Sequence, residues 1–140
     1  MKPRNTVLGL VIKDNALLLE ERCGKHSRGE GIYYRPIGGT IEWSERSSET
    51  LKREFIEEIG TEIDIINYVA CLENIFEVDS MIGHEITQVY RAVFKDKSLY
   101  EIETFNVIEG GQSTVARWIS IKEILEGKKL LFPDKLIDLI

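Results

Sequence analysis

The stretch "GGTIEWSERSSETLKREFIEEIG", residues 38–60, carries the pattern that decides the fold. Leu51, Phe55 and Ile59 recur every four residues, and this period is typical of an amphipathic helix with one apolar face. The final glycine of the stretch stands where a glycine commonly ends a helix. The stretch therefore predicts a glycine turn and a short strand, followed by a helix over residues 47–59.

Three acidic residues of this predicted helix lie close together. Glu54, Glu57 and Glu58 fall within an arc of roughly 100°, on a different side from the apolar stripe, and we expect them to project away from the core. Like charges four residues apart cost only a few tenths of a kcal/mol on an open surface, so a solvated acidic face is one interpretation. A divalent cation is the other, because Mg²⁺ prefers oxygen ligands and is commonly held by carboxylates together with substrate phosphates.

Length and composition indicate one globular domain over residues 1–140. Hydrophobic residues make up 43% of the chain and charged residues 30%, which is typical of a globular protein. No apolar run approaches about 18 residues, so we expect no membrane span. The net charge of −6 argues against broad binding of nucleic acid. Cys23 and Cys71 are too few for a disulfide framework, which favours reduced thiols in a cytoplasmic protein.

Apolar and alternating runs predict strands on both sides of the helix. Asp14 and Asn15 favour the turn of a hairpin between residues 6–13 and 16–22. A loop over residues 23–31 and short strands over 32–39 and 40–43 complete the part before the helix. After the helix, the pattern predicts strands over 62–78 and 84–94, a long polar loop over 95–112, and a final strand over 114–120.

The C-terminal part predicts two short helices. Ser120 and Glu123 have the spacing of a capping box for a helix from about residue 121 to 126, and Gly127 would end it. A last helix is expected to begin at Pro133, with three apolar side chains facing inward, those of Leu136, Ile137 and Ile140. The order strands, helix, strands, helix is typical of an α+β domain or of a sheet sandwiched by helices.

The residues around the acidic helix match a known pattern. Eight positions agree at fixed spacings with the Nudix hydrolase box, namely Gly39, Glu45, Arg53, Glu54, Phe55, Glu57, Glu58 and Gly60. The strand order and the "ARWISIKEI" ending are also similar to this family. Two positions depart from its pattern. Thr61 replaces an aliphatic residue, which we expect to change the packing mildly, and Ser44 replaces a common glycine before Glu45.

The resemblance implies a fold and an activity. The fold is an α/β/α sandwich with a mixed β-sheet and a strand-loop-helix-strand metal site. The activity is hydrolysis of a nucleoside diphosphate linked to another group, with Mg²⁺ as the cofactor and Mn²⁺ as a substitute. The partner is then a small nucleotide, and the resemblance leaves room for a homodimer.

The family pattern also assigns roles to residues. Matching the family's ligand positions, Glu54, Glu57 and Glu58 would hold the metal, and the carbonyl of Gly38 would be a further ligand. Arg53 is expected to orient the acids and to pair with Glu45 across the start of the helix. A purely structural salt bridge is the alternative role for that pair.

The general base is not fixed by the pattern. In the family it is a glutamate of the helix or one from a distant loop. Glu109, in "IEGGQ", is the first loop candidate because two glycines follow it and permit a mobile approach. Glu85, beside His84 in "GHEI", is the second. An ordinary surface glutamate is the alternative for each of them.

Substrate contacts are the least determined part of the sequence. Arg35 precedes the glycine turn and is a candidate bidentate donor to phosphate, with Lys25 and Arg28 assisting from the preceding loop. Four aromatic residues are candidates to stack on a base, namely Tyr33, Tyr34, Trp43 and Phe76. Solvated charges and core aromatics are the alternatives. A non-catalytic module of the same fold that binds a nucleotide is the second function, and an acidic helix without a ligand is the third.

Overall fold

The computed structural model describes residues 1–140 and contains nine strands, two α-helices and two 3₁₀ helices. None of its helices combines the length and the apolar character that crossing a membrane requires. The helices are α1 (Ser47–Ile59), α2 (Ile121–Leu125) and the 3₁₀ helices Lys97–Glu101 and Asp134–Leu139. The strands are β1 (Arg4–Leu10), β2 (Ile12–Lys13), β3 (Ala16–His26), β4 (Gly29–Arg35), β5 (Ile37–Thr40), β6 (Ile63–Val78), β7 (Met81–Phe94), β8 (Thr104–Glu109) and β9 (Gln112–Ser120).

The strands form two sheets. The first has the order β5-β1-β7-β6, in which β1 and β7 are parallel and the other neighbours are antiparallel. The second has the order β2-β3-β9-β8, and it is antiparallel throughout. β4 pairs with the second half of β3, along the same edge as β2. The mixed sheet expected from the sequence is therefore confirmed.

Two hydrophobic cores cover the two faces of these sheets. Successive side chains of a strand point to opposite faces, so Val7 of β1 joins the core under α1, whereas Leu8 joins the core under α2 and the last 3₁₀ helix. Leu51 and Phe55 supply the α1 side of the first core and are fully buried. The helices thus lie on both sides of the sheets, which is the α/β/α sandwich that the resemblance implied.

Helix α1 occupies residues 47–59, as the apolar period predicted. Gly60 ends it in the left-handed conformation, with φ of 67°, which glycine adopts without strain. Ser44 also has a positive φ, of 65°. The loop before Glu45 therefore keeps the backbone conformation that a glycine would favour, although the residue is a serine.

The predicted N-terminal hairpin is only partly correct. Its turn lies at Asp14 and Asn15, which both have positive φ, as two-residue hairpin turns require. Only β2 pairs with β3 across this turn, because the chain passes from one sheet to the other after β1. The prediction paired the whole of residues 6–13 with β3, and that part was wrong.

Two predicted loops proved to be strands. Residues 23–31 form the end of the β3–β4 hairpin, in which Gly24 lies opposite Gly31 and the turn is at Ser27 and Arg28. Residues 95–112 contain a 3₁₀ helix and β8, which pairs with β9 along its length. Glycines and polar residues indicated loops at both places, but cross-strand pairing to neighbours far along the chain outweighed local propensity.

The C-terminal elements follow the prediction more closely. Ser120 caps α2 by accepting a hydrogen bond from the backbone N–H of Glu123. The last helix is a 3₁₀ helix over Asp134–Leu139, and Leu136 is fully buried as expected. The expectation that Ile137 faces inward was wrong, because the tighter 3₁₀ turn leaves it exposed.

Candidate active site

The three carboxylates of the acidic helix differ in exposure. The side chain of Glu57 is 56% exposed, whereas Glu58 retains only 5% of its surface. The expectation that all three project away from the core was therefore wrong for Glu58, because β8 and its turn pack beside α1. Glu54 lies directly against Gly39 of β5, where an added Cβ would come within 2.5 Å of its carboxyl carbon. Gly39 is therefore required for the close approach of Glu54 to the strand.

These carboxylates line a cavity of about 280 Å³, here called the acidic cavity. Gly39 and Thr40 of β5 form one wall, and Ile108, Glu109 and Gly110 of the β8–β9 turn form another. The β8–β9 hairpin thus brings Glu109, the last residue of β8, beside the acidic helix from a position about fifty residues later in the sequence.

The acidic cavity holds more negative charge than the protein compensates. Burial raises the pKa of Glu58 to about 9, and the carboxylates of Glu109, Glu54 and Glu20 add to the rise. Burial also raises the pKa of Glu54, and the charge of Glu57 contributes. Arg35 counteracts the shift at Glu58 only in part. A buried carboxylate without a full countercharge is unfavourable, so the cluster is suited to a cation.

Arg53 connects the helix to the loop before it. Its Nε and Nη2 donate to the two carboxylate oxygens of Glu45 at 2.8 and 3.0 Å, in the planar two-point geometry that only arginine offers. Its Nη1 donates to Glu54 at 3.0 Å and to Glu57 at 3.1 Å. The pairing of Arg53 with Glu45 predicted from the sequence is present. Hydrogen bonds from Arg53 hold the pKa of Glu45 down at about 2.

The donor set fits a hard divalent cation. It consists of carboxylate oxygens, which suit Mg²⁺. Gly38, the predicted backbone ligand, directly precedes Gly39 on β5 and does not itself line the cavity. No three acidic, histidine or cysteine side chains converge closely enough to hold a metal ion by themselves. Mg²⁺ is usually bound by one or two carboxylates, and water and phosphate oxygens complete its coordination. A Mg²⁺ site here therefore does not require three converging protein side chains.

A second cavity, of about 220 Å³, lies next to the first and is here called the aromatic cavity. His26, Tyr33 and Phe132 form one side, with ring centroids 5.4–5.6 Å apart. Phe76 of β6 also lines it, and its ring lies on Gly83 of β7, where an added Cβ would come within 2.2 Å of the ring. The cavity therefore offers ring faces to an aromatic ligand.

The predicted substrate residues separate into two groups. Arg35 and Lys25 line the aromatic cavity. Tyr34 is not brought there: it is buried in the second core, and its neighbour Tyr33 faces the cavity because side chains alternate along β4. Arg28 lies outside the lining and forms an ion pair with Asp134 at 3.0 Å.

The two candidate bases lie in different cavities. Glu109 lines the acidic cavity, and Glu85 lines the aromatic cavity, where it forms an ion pair with Arg4 at 3.2 Å. Only Glu109 is therefore beside the carboxylates of α1.

Sequence reasoning missed three residues of this region. Arg4 lines both cavities, and nothing in its N-terminal position indicates this. Glu20 and Arg22 lie on β3 and form an ion pair at 3.2 Å. Their spacing of two residues places them on one face of a strand, and this was the signal available in "LLLEER".

Comparison with known proteins identifies the family. The family model described as the NUDIX domain matches residues 2–140. The chain therefore belongs to the NUDIX family, and this membership makes it a hydrolase that acts on phosphoric anhydride bonds.

Solved structures share the fold at low sequence identity. The E. coli ORF135 protein is 24% identical, with 99% of this chain and 86% of that chain covered and a TM-score of 0.62. The MutT protein from Methanosarcina mazei is 21% identical over 99% of this chain and 91% of that chain, with a TM-score of 0.65. A NUDIX hydrolase from Nitrosomonas europaea is 19% identical over 99% and 86%, with a TM-score of 0.64.

Proposed function

We propose that the protein is a Mg²⁺-dependent pyrophosphohydrolase that cleaves a nucleoside diphosphate linked to another group by attack of water at phosphorus. The observation that carries this proposal is the grouping of Glu54, Glu57, Glu58 and Glu109 around one cavity, in which Glu58 retains only 5% of its surface. Burial and the neighbouring carboxylates raise the pKa of Glu58 to about 9, in agreement with this crowding. Such a concentration of carboxylates costs folding free energy unless a cation compensates it. Binding of a hard cation beside a substrate cavity would explain why the protein keeps these carboxylates together despite their unfavourable effect on stability.

The residues of α1 and β5 would hold the ion. Glu54, Glu57 and Glu58 are the proposed carboxylate ligands, and one or two of them would bind the ion at a time, because the three do not converge on one point in this structure. The carbonyl of Gly38 is the proposed backbone ligand, and Mn²⁺ would be a substitute ion. When bound, such an ion neutralises phosphate charge and lowers the pKa of the attacking water. Arg53 keeps the acidic helix in register with the loop through Glu45.

We further propose that Glu109 takes the proton from the attacking water. Its carboxylate lies on the wall of the acidic cavity opposite α1, and a carboxylate that is not a metal ligand is the better base. Glu85 is the second candidate, since it lies in the neighbouring cavity.

The aromatic cavity would hold the nucleoside end of the substrate. Its volume of about 220 Å³ is below the range of roughly 300–1,000 Å³ for sites that enclose a whole small molecule, so it suits one ring system. Arg35 and Lys25 lie on its wall and would donate to phosphate oxygens as the substrate passes towards the acidic cavity. Arg28 and Tyr34 would act on the substrate only through these neighbours.

A panel of nucleotides tests the function. Nucleoside triphosphates, nucleotide sugars, ADP-ribose, dinucleoside polyphosphates and capped RNA are incubated with the protein, with and without Mg²⁺, and the release of phosphate or of a monophosphate is measured. We expect Mg²⁺-dependent release from at least one class. Binding of a nucleotide without product from any class would instead support a non-catalytic module.

Two further parts of the proposal concern the setting of the enzyme. Cys23 and Cys71 are free and exposed, which suits a reducing compartment, and we propose the cytoplasm.

The oligomeric state is a separate question. Sedimentation velocity on the purified protein tests whether it forms a homodimer.

A further inference from the structure

The tip of the β8–β9 hairpin is weakly held by the sheet. The pairing of β9 with β3 ends where Val115 lies opposite Glu21. Beyond that point, residues 112–114 pair only with β8, and the turn itself consists of Gly110 and Gly111. Two glycines and a two-stranded end make a segment that opens easily. This same tip carries Glu109 on the wall of the acidic cavity.

Side chains of β3 provide the contacts that tether the tip. Arg22 donates through Nη2 to the carboxylate of Glu109. The hydroxyl of Thr114, on the β9 side of the tip, donates to Glu20. Each contact joins a residue of β3 to a residue beyond the last β3–β9 backbone pair. The two side-chain contacts therefore hold the tip to β3 where backbone pairing between the strands has ended.

Glu20 and Arg22 form a fixed anchor for this tether. Glu20 is only 3% exposed, and Arg22 donates to it through Nε at 3.2 Å. Burial lowers the pKa of Arg22, but the charges of Glu20 and Glu109 outweigh this effect and raise the pKa overall. The buried carboxylate of Glu20 needs a cationic partner such as Arg22, and this pairing in turn holds the Arg22 side chain on one face of β3.

We propose that Arg22, anchored by the buried Glu20, is a positioning residue that holds the β8–β9 turn and its Glu109 carboxylate against the acidic cavity. The catalytic part of this proposal rests on the proposed hydrolase function. The structural part concerns the turn alone and is independent of that function.

Amide hydrogen exchange on the metal-free protein tests the structural part. In Arg22→Met, which keeps the length of the side chain without its charge, we expect exchange in residues 108–114 to become at least several-fold faster than in the wild type. Arg117→Met is the matched control, because Arg117 of β9 forms an arginine–glutamate ion pair with Glu21 of β3 at 2.8 Å, and this pair lies away from Glu109. Unchanged exchange in Arg22→Met, or an equal increase in Arg117→Met, would overturn the proposal.

A second variant covers the case in which Arg22→Met does not fold. Glu20→Gln keeps the shape of the anchor and removes its charge, so it should also speed exchange in residues 108–114. Arg22→Lys keeps a cation but lacks the planar fork, and we expect an intermediate rate. A rate in Arg22→Lys that equals the rate in Arg22→Met would count against an electrostatic tether.

Kinetics on the substrate found in the nucleotide panel test the catalytic part. A misplaced turn should lower kcat by about 10- to 100-fold and leave KM near the wild-type value. In a Glu109→Gln background, Arg22→Met should then add no further loss. If Arg22→Met instead raises KM, and raises it equally in the Glu109→Gln background, then Arg22 contacts the substrate directly and the positioning role is wrong. If no nucleotide is turned over, the hydrolase function fails, while hydrogen exchange still decides the role of Arg22.

Discussion

Arg53 makes five hydrogen bonds, and their acceptors come from the loop before α1, from α1 itself and from β5. This one side chain therefore joins three parts of the site. Its pairing with Glu45 was expected from the resemblance to the family pattern. The contact with the carbonyl of Thr40 was not expected, since it depends on how β5 lies against the helix.

Arg53→Lys should be harmful. Lysine keeps the charge but cannot reproduce the two-point contact with Glu45, so we expect lower kcat and a lower melting temperature. Arg46→Lys is the control, because Arg46 precedes the same helix and its exposed side chain contacts only Glu49. Wild-type kinetics together with an unchanged melting temperature in Arg53→Lys would contradict the proposed role.

Glu57→Gln and Glu58→Gln should each lower turnover by a large factor and leave the fold intact. A neutral amide keeps the shape of the side chain but loses the charge that attracts Mg²⁺. Circular dichroism and Mg²⁺-dependent kinetics check the two halves of this expectation. Glu62→Gln, an exposed acid just after the helix, should behave as the wild type. Full Mg²⁺-dependent activity in both helix variants would remove these residues from the ligand set.

Thr61 departs from the family pattern at a cost that can be measured. It is 7% exposed, and its hydroxyl has no hydrogen-bond partner. Thr61→Val should therefore raise the free energy of unfolding by about 1 kcal/mol, as measured by denaturant titration. Thr50→Val is the matched control of opposite sign, because the buried hydroxyl of Thr50 donates to Glu45 at 2.8 Å. A loss of stability in Thr61→Val would show that the hydroxyl has a partner in solution.

At the scale of elements, α1 was the part that the sequence determined best. Its apolar period, its C-terminal glycine and its acids are all local signals, and the structure reproduces its bounds. The end of the β3–β4 hairpin, residues 23–31, and strand β8 were missed because their glycines and polar residues resemble loops. What makes them strands is pairing with residues far along the chain, and such pairing leaves little trace in a local pattern.

Strand β8, which the sequence analysis did not predict, ends at the preferred base, Glu109. Glu109→Gln should lower kcat strongly, leave metal affinity near the wild type, and remove the acidic limb of the pH-rate profile. Glu85→Gln serves as the comparison, since it changes the same chemistry in the aromatic cavity. If both variants keep kcat within about twofold, roughly 0.4 kcal/mol in barrier, neither residue is the base and a glutamate of α1 takes the proton.

At the scale of the whole molecule, the acidic cavity should make stability depend on pH. The pKa of Glu58 is raised from 4.5 to about 9 by burial and neighbouring carboxylates. Between these values the folded state keeps a proton that the unfolded state has lost. The free energy of unfolding of the metal-free protein should therefore fall as the pH rises from 5 to 9, by up to several kcal/mol.

Thermal unfolding at several pH values measures this effect. Glu58→Gln should flatten the decline, because the amide does not ionise. Mg²⁺ should raise the melting temperature more at pH 8 than at pH 5, since it binds the ionised carboxylates. A wild-type melting temperature that does not fall between pH 5 and 9 without metal would show that Glu58 ionises normally in the folded protein.

The aromatic and acidic cavities share Arg4 and no other residue of their linings. One is formed by β5, α1 and the β8–β9 turn, and the other mainly by β4, the β6–β7 hairpin and the C-terminal segment. Mutations of residues that line the aromatic cavity can accumulate over evolutionary time without disturbing the carboxylates of the acidic cavity. A duplicated gene could therefore acquire a new ligand preference through changes at positions such as Phe76 or Phe132, while the chemistry it inherits is retained.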